Sequence, residues 1–286
     1  MNNKENKLNF VFFGTPDVAS ETLEILMQNG YVPSLIITSP DAQKGRGLRM
    51  QASPVSIFAE KNDIACIKPE KLDEDFSKKL EAMGCKLFIV VAYGKIIPEK
   101  ILNMPKLGSI NIHYSLLPKY RGASPVESAI LNGDSHTGVS IQKMEFKMDS
   151  GPIIAHSVVP VLGNEKAPEL RKRLIKIGGE LLVKILPEFT AGRIKEMPQV
   201  ENEATYSKKI KKGDGLVNLD VESPRVLYNK WRAYAQWPRT FFFRNSKRII
   251  ITDAALENGQ FVIKKVLPEG KKEISWEDFN LRYSVD

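Results

Sequence analysis

The chain has 286 residues and a net charge of +8, from 42 Lys and Arg against 34 Asp and Glu. That length suits two domains, and 42% hydrophobic with 27% charged residues excludes a disordered or fibrous chain. The longest apolar runs, such as Leu87 to Tyr93, are far shorter than the roughly 20 residues a membrane-spanning helix needs. The polar start, Asn2 to Lys7, has no signal-peptide pattern. Cys66 and Cys85 have neither metal-ligand nor disulfide-framework spacing, so a reduced, cytoplasmic protein is expected.

In chain order, Asn9–Phe13 is an apolar run that ends at Gly14-Thr15-Pro16 and passes into an amphipathic stretch, Ala19 to Gln28, stopped by Gly30. That reads as strand, tight turn and helix. Ser34–Thr38 is a second strand, and Leu87–Ala92 has the unbroken apolar pattern of a parallel strand buried on both faces. Gly108–His113 is another strand. Ser124-Pro125 marks a helix start, closed at Asn132-Gly133. Strands at Thr137–Met144 and Ile153–Val161 precede a long amphipathic helix, Ala167 to Thr190. The alternation predicts an α/β fold: a doubly wound, Rossmann-like domain over residues 1–192. Residues 193–209 read as a polar linker. Residues 210–286 read as a smaller, β-rich domain with a helix from Ser223-Pro224 and strands at Leu216–Leu219, Thr240–Arg244, Arg248–Thr252 and Gln260–Leu267.

The charge is uneven. Residues 1–192 carry 24 basic and 21 acidic groups, whereas 193–286 carry 18 and 13. Lys208, Lys209, Lys211 and Lys212 open this basic region, followed by Arg225, Lys230, Arg232, Arg239, Arg244, Lys247 and Arg248 with Trp231, Tyr234, Trp237 and Phe241–Phe243 among them. Two readings fit: a surface for a phosphate backbone and exposed bases, or a solvated basic face over an aromatic core.

The sharpest local signal is Asn111-Ile112-His113. Alternation along a strand puts Asn111 and His113 on one face, at the carboxyl end where open α/β sheets bind ligands. An amide and an imidazole there need partners to offset their desolvation. The next loop, Ser115-Leu116-Leu117-Pro118-Lys119-Tyr120-Arg121-Gly122, is stiffened by Pro118 and suits edge-on contact with a flat heterocycle. Asp149, in Asp149-Ser150-Gly151 after the following strand, is within reach of the same crevice; the same tripeptide also serves as an ordinary turn.

These motifs together resemble the folate-dependent formyltransferase family. Gly14-Thr15-Pro16-Asp17, Pro40-Asp41, Gly45-Arg46-Gly47, Ser53-Pro54-Val55 and Val90-Val91-Ala92-Tyr93-Gly94 are similar to its methionyl-tRNA branch, and the resemblance weakens after about residue 255. It implies formyl transfer from 10-formyltetrahydrofolate to the α-amino group of methionyl initiator tRNA, without a metal. It further implies Asn111, His113 and Asp149 as catalytic residues. Folate is expected against Ser115, Leu116, Leu117 and Pro118 and against Val91, Ala92, Tyr93 and Gly94. Lys44, Arg46 and Arg49, with Lys208, Lys209, Lys211 and Lys212, are expected to face tRNA. The second domain should be a tRNA-binding, OB-like barrel; only about four strands are legible, and the hairpin expected between Ala255 and Leu267 is not among them. His136 and His156 read as structural, and a monomer is expected. Two other functions share these features: a formyltransferase for an amino sugar nucleotide, and a non-catalytic folate- or RNA-binding module.

Overall fold

The computed structural model describes residues 8–44, 47 and 49–283. The chain runs through β1 (Phe10–Gly14), α1 (Asp17–Gln28), β2 (Leu35–Ile37), β3 (Ala42–Lys44), β4 (Arg49–Gln51), α2 (Pro54–Lys61), β5 (Cys66–Ile67) and α3 (Glu74–Ala82). Then come β6 (Leu87–Val91), α4 (Glu99–Leu102), β7 (Ser109–His113), β8 (Arg121–Gly122), α5 (Pro125–Leu131), β9 (His136–Lys143), β10 (Ile153–Pro160) and α6 (Ala167–Thr190). The remainder holds β11 (Tyr206–Ser207), α7 (Pro224–Ala233), β12 (Phe241–Arg244), β13 (Lys247–Glu257), β14 (Gln260–Pro268), β15 (Ile274–Ser275) and α8 (Trp276–Arg282).

Seven strands form one sheet in the order β10-β9-β7-β6-β1-β2-β5. β5, β2, β1, β6 and β7 are parallel, and β9 runs antiparallel to β7. β1 and β6 are buried at every position, which is why both are apolar without alternation. The strand order reverses between them, so the ligand crevice of such a sheet opens past Gly14 and Val91. A Cβ at Gly14 would lie 2.6 Å from the Ala19 Cβ, so the turn into α1 closes only around glycine.

Two glycines inside α6 have a similar reason. A Cβ at Gly178 would meet Ile112 at 3.1 Å and Val139 at 3.2 Å, and one at Gly179 would meet Ile25 at 2.7 Å. The helix therefore lies close over the Ile112 face of β7, and alternation turns Asn111 and His113 to the other face. Side-chain caps begin α2, α3 and α7, where Ser53, Asp73 and Ser223 accept from Ser56, Phe76 and Val226 backbone N–H groups. Ser124 precedes Pro125 as expected, yet its hydroxyl makes no cap bond. Its backbone N–H instead donates to the Ser207 hydroxyl at 3.1 Å.

The chain divides into two compact units. One contains the residues up to 121 with 138–158 and 172–205; the other contains 122–137, 159–171 and everything from 206. The second unit has its own core, in which Leu227, Tyr228 and Trp231 of α7 join Phe242, Ile249, Ile251, Val266 and Phe279. Its sheet is antiparallel in the order β12-β13-β14-β15.

Two sequence expectations change here. Leu216–Leu219 is not a strand; among the described residues it makes one parallel bridge, Leu216 to Phe241. The hairpin thought to be lacking is present. β13 runs on to Glu257, and Asn258 and Gly259, at φ 49° and 78°, turn the chain into β14. A two-residue turn with both φ values positive is what Asn-Gly supplies, and it matches the twist of the flanking strands. Helix α8 was not foreseen; Ser275 caps it by accepting from the Asp278 N–H.

Candidate active site

β7 brings Asn111 and His113 to the carboxyl edge of the first unit's sheet. Across the antiparallel pairing Asn111 lies opposite Gln142, and His113 opposite Ser140. His113 is buried, and its Nε2 lies 2.9 Å from the Tyr120 carbonyl. A carbonyl can only accept, so Nε2 carries the hydrogen and Nδ1 is the nitrogen left for another partner. Nδ1 faces the Asp149 carboxylate, 3.7 Å from Oδ2. That separation is within ion-pair range and longer than a hydrogen bond.

Asp149 sits at φ 51° in the turn that links β9 to β10, a left-handed conformation that aspartate tolerates better than most residues. Its Oδ1 accepts from Gln142 Nε2 at 2.8 Å. The turn passes so close over β9 that a Cβ at Gly151 would fall 1.9 Å from the Lys143 carbonyl. Behind it, Gln199 Nε2 donates to the Asp149 carbonyl at 2.9 Å and to the Gly151 carbonyl at 2.7 Å. The Gln199 oxygen accepts from Arg121 Nε at 3.1 Å and Nη2 at 2.9 Å. Arg121 is fully buried, and its Nη1 reaches Glu201 at 2.9 Å. Hydrogen bonds from Lys147 first and from Arg121 second hold the Glu201 carboxyl below the usual carboxylate range.

The loop after β7 is braced from below. The Ser140 hydroxyl donates to the Ser115 carbonyl at 2.7 Å and accepts from the Leu117 N–H at 3.0 Å, while the Ser115 hydroxyl donates to the Lys119 carbonyl at 2.5 Å. Leu116 covers Gly138, where a Cβ would come within 2.5 Å of its side chain. The Leu117–Pro118 peptide is cis. At the end of β6, Val91 and Tyr93 point inward, whereas Ala92 and Gly94 are exposed at φ 45° and 81°. Tyr93 packs edge-on against Phe13, and burial pushes its hydroxyl up to about 12. The Thr15 hydroxyl donates to the Tyr93 carbonyl at 2.9 Å and so joins the loops after β1 and β6.

The cationic residues are spread more widely. Lys44 ends β3 and the exposed Arg49 begins β4, while Arg46 between them lies outside the described residues. Lys208, Lys209, Lys211 and Lys212 are all exposed. Lys209 lines a concavity of about 350 Å³ in the second unit, together with Glu127, Arg171 and Trp237. The aromatics interleaved with basic residues mostly form core: Trp231, Tyr234, Phe241 and Phe242 are buried. Several of the cations brace that core. Arg232 donates to the Leu162 and Glu165 carbonyls, Arg244 donates to the Tyr283 carbonyl, and Arg248 stacks 3.8 Å over the Phe241 ring. Trp237 and Phe243 remain more than half exposed. His136 and His156 are exposed, and burial raises both cysteine thiols. No helix among the described residues is long and apolar enough to cross a membrane.

Gln142, Gln199 and the buried role of Arg121 were not foreseen. Gln142 has a faint signal, since it is a polar residue in an otherwise buried strand. Gln199 has none, because it lies in an irregular stretch and meets Asp149 only through the fold.

Residues 7–186 match the family model for formyl transferases, and residues 209–262 match that for the formyl transferase C-terminal domain. A methionyl-tRNA formyltransferase of Thermodesulfovibrio yellowstonii is 35% identical over 94% of this chain and 94% of its own. That of Thermotoga maritima is 40% identical over 81% of this chain and 74% of its own. Among solved structures, the methionyl-tRNA formyltransferase of Clostridium thermocellum superposes with a TM-score of 0.60 at 17% identity, covering 94% of this chain and 99% of that one. An N-formyltransferase of Helicobacter canadensis, solved with folinic acid and dTDP-3-aminofucose, gives a TM-score of 0.66 at 19% identity and covers 88% of each chain. By the family match and the extent of these alignments, the chain belongs to the formyl transferase family, on its methionyl-tRNA formyltransferase branch.

Proposed function

We propose that the protein formylates the α-amino group of methionyl initiator tRNA, with 10-formyltetrahydrofolate as co-substrate, and so serves translation initiation. Support comes from the relatives at 35–40% identity and from the opposition of His113 Nδ1 and the Asp149 carboxylate at the sheet's carboxyl edge. Residues 1–192 supply the catalytic part, 193–209 a linker, and 210–286 a tRNA-facing part. It works as a cytoplasmic monomer.

The folate supplies the formyl carbon. Its place is the crevice past Gly14 and Val91, against Ala92 and Gly94 and the Ser115–Pro118 loop. Open space fits it there, since nothing lies within 4 Å of a Cβ at Gly94. Asn111 donates its amide hydrogens to the formyl oxygen as that oxygen gains negative charge; one such donor is typically worth about 3–4 kcal/mol. His113, protonated at Nδ1, supplies a second donor. Asp149 accepts the proton that the amine gives up, directly or through water, and the folate nitrogen takes up a proton as its bond to the formyl carbon breaks, which leaves a formamide and tetrahydrofolate. Lys44, Arg46, Arg49 and the four lysines from 208 to 212 offer cations to the acceptor-stem backbone.

The deciding experiment is incubation with 10-formyltetrahydrofolate and either charged initiator tRNA or a panel of amino sugar nucleotides. Formylation of methionyl-tRNA is expected. Turnover of an amino sugar nucleotide alone would move the chain to the other acceptor class, with the same three site residues.

A further inference from the structure

We infer that Gln199 is a positioning residue for Asp149, held in its working orientation by the buried Arg121; the catalytic part of this inference rests on the function proposed above. The turn that carries Asp149 is closed locally by Ser150, whose hydroxyl and N–H donate to the Lys147 carbonyl at 2.9 and 3.4 Å, and Gln199 adds a hold from outside it. It is a non-glycine residue at φ 51°, a conformation that persists where the surroundings enforce it. Two carbonyls of its turn, those of Asp149 and Gly151, converge on the Nε2 of Gln199 at 2.9 and 2.7 Å. One primary amide has two N–H donors, so both carbonyls are satisfied by a single side chain.

The amide can face only one way. Its oxygen receives two N–H groups of Arg121, at 3.1 and 2.9 Å. A flipped amide would set its oxygen against two carbonyls and its NH₂ against a guanidinium, which accepts nothing. Arg121 is itself fixed, because it is fully buried and its Nη1 donates to Glu201 at 2.9 Å. Buried guanidinium, amide and turn thus form a directional chain that ends on the backbone of Asp149.

The carboxylate has a second hold, Gln142 Nε2 to Oδ1 at 2.8 Å. The two glutamines touch, with Gln199 Nε2 lying 3.4 Å from the Gln142 side-chain oxygen, and each holds a different part of Asp149. Gln142 ties one carboxylate oxygen to β9, and Gln199 stops the turn from rolling about that tie. With both in place, Oδ2 stands 3.7 Å from His113 Nδ1. Without Gln199 the turn keeps its hydrogen bond to Gln142 but loses the constraint that aims Oδ2. Residues that orient a reacting group in this way typically matter 10–100-fold, as for groups behind metal ligands.

The test uses the full chain with Gln199→Leu, which keeps volume, Gln199→Glu, which keeps the acceptor for Arg121 and loses both donors, and Asp149→Asn. Both Gln199 variants should lose about 10–100-fold in kcat with KM for each substrate changed less than threefold. In the Asp149→Asn background, Gln199→Leu should cost less than twofold more, because its route to the chemistry is already gone. A second readout does not need turnover. His113 is one of three histidines, and its ring nitrogen resonances should shift in both Gln199→Leu and Asp149→Asn, with His136 and His156 unmoved. Wild-type kcat in Gln199→Leu, an equal loss in the Asp149→Asn background, or an unmoved His113 spectrum would each overturn the assignment. If the wild-type protein formylates no acceptor while the His113 spectrum still responds to Gln199, the proposed function fails and the positioning survives.

Discussion

Nε2 of His113 is committed to the Tyr120 carbonyl at 2.9 Å, so any proton exchange at this imidazole goes through the nitrogen that faces Asp149. His113→Ala and Asp149→Ala are therefore expected to abolish turnover while folate affinity stays within about tenfold, because neither group is needed to hold the folate against the loops. Single-turnover formylation and a direct folate titration check this; near-normal turnover by either variant removes that residue from the mechanism. Glu201 carries a pH prediction. Its folded-state pKa lies below the ordinary carboxylate value, chiefly through Lys147 and then Arg121, so its contribution to stability is present above that ordinary value and is lost as pH falls through the folded one. The carboxylate is exposed, which keeps the effect small. Urea unfolding between about pH 5 and pH 3 should show a shallower acid loss in Glu201→Gln than in the wild type.

At the scale of elements, β7 and the β9–β10 turn assemble the site, and α6 determines which face of β7 is free to do so. The Gly178 and Gly179 pair lets α6 settle on Ile112, and the period of two then sends Asn111 and His113 the other way. In the second unit the β13–β14 hairpin depends on Asn258 and Gly259, both at positive φ. Gly259→Ala introduces a side chain at φ 78° and is expected to cost about 1–2 kcal/mol, measured by denaturant unfolding with formylation of saturating substrate unchanged. A neutral result would mean that the turn relaxes to another type. The hairpin is hard to read in the sequence for a different reason: Arg248–Thr252 reads as a complete strand, and the run from Ala255 alternates too weakly to reveal that β13 continues to Glu257.

Across the whole molecule the net charge of +8 resolves into cations with different tasks. Arg232, Arg244 and Arg248 support the aromatic core, and Lys230 pairs with Glu222. Lys208, Lys209, Lys211 and Lys212 are exposed, and the function proposed above gives them to the tRNA backbone. If they meet phosphates, replacing each with alanine should lower the slope of log affinity for tRNA against log salt by about 1. Arg46→Ala should weaken activity on tRNA and spare any activity on small amine analogues; unchanged tRNA kinetics would make that loop an ordinary solvated surface.

Local chemistry was enough to mark much of this protein. Unbroken apolar runs identified β1 and β6, Ser223-Pro224 marked the start of α7, and Asn111 with His113 stood out as polar residues in an apolar strand. All of these signals lie within one turn or one strand, where neighbours in sequence are neighbours in space. The rest depended on pairing at a distance. Asp149 reaches His113 only because β9 lies antiparallel to β7 in one register, and Gln199 acts on Asp149 across 50 residues of chain. Leu216–Leu219 has the composition of a strand, yet among the described residues it meets the open edge of β12 in a single bridge, Leu216 to Phe241. Hydrogen bonds of this kind are set by the packing of α6 and the register of the sheet, and no short stretch of residues records them.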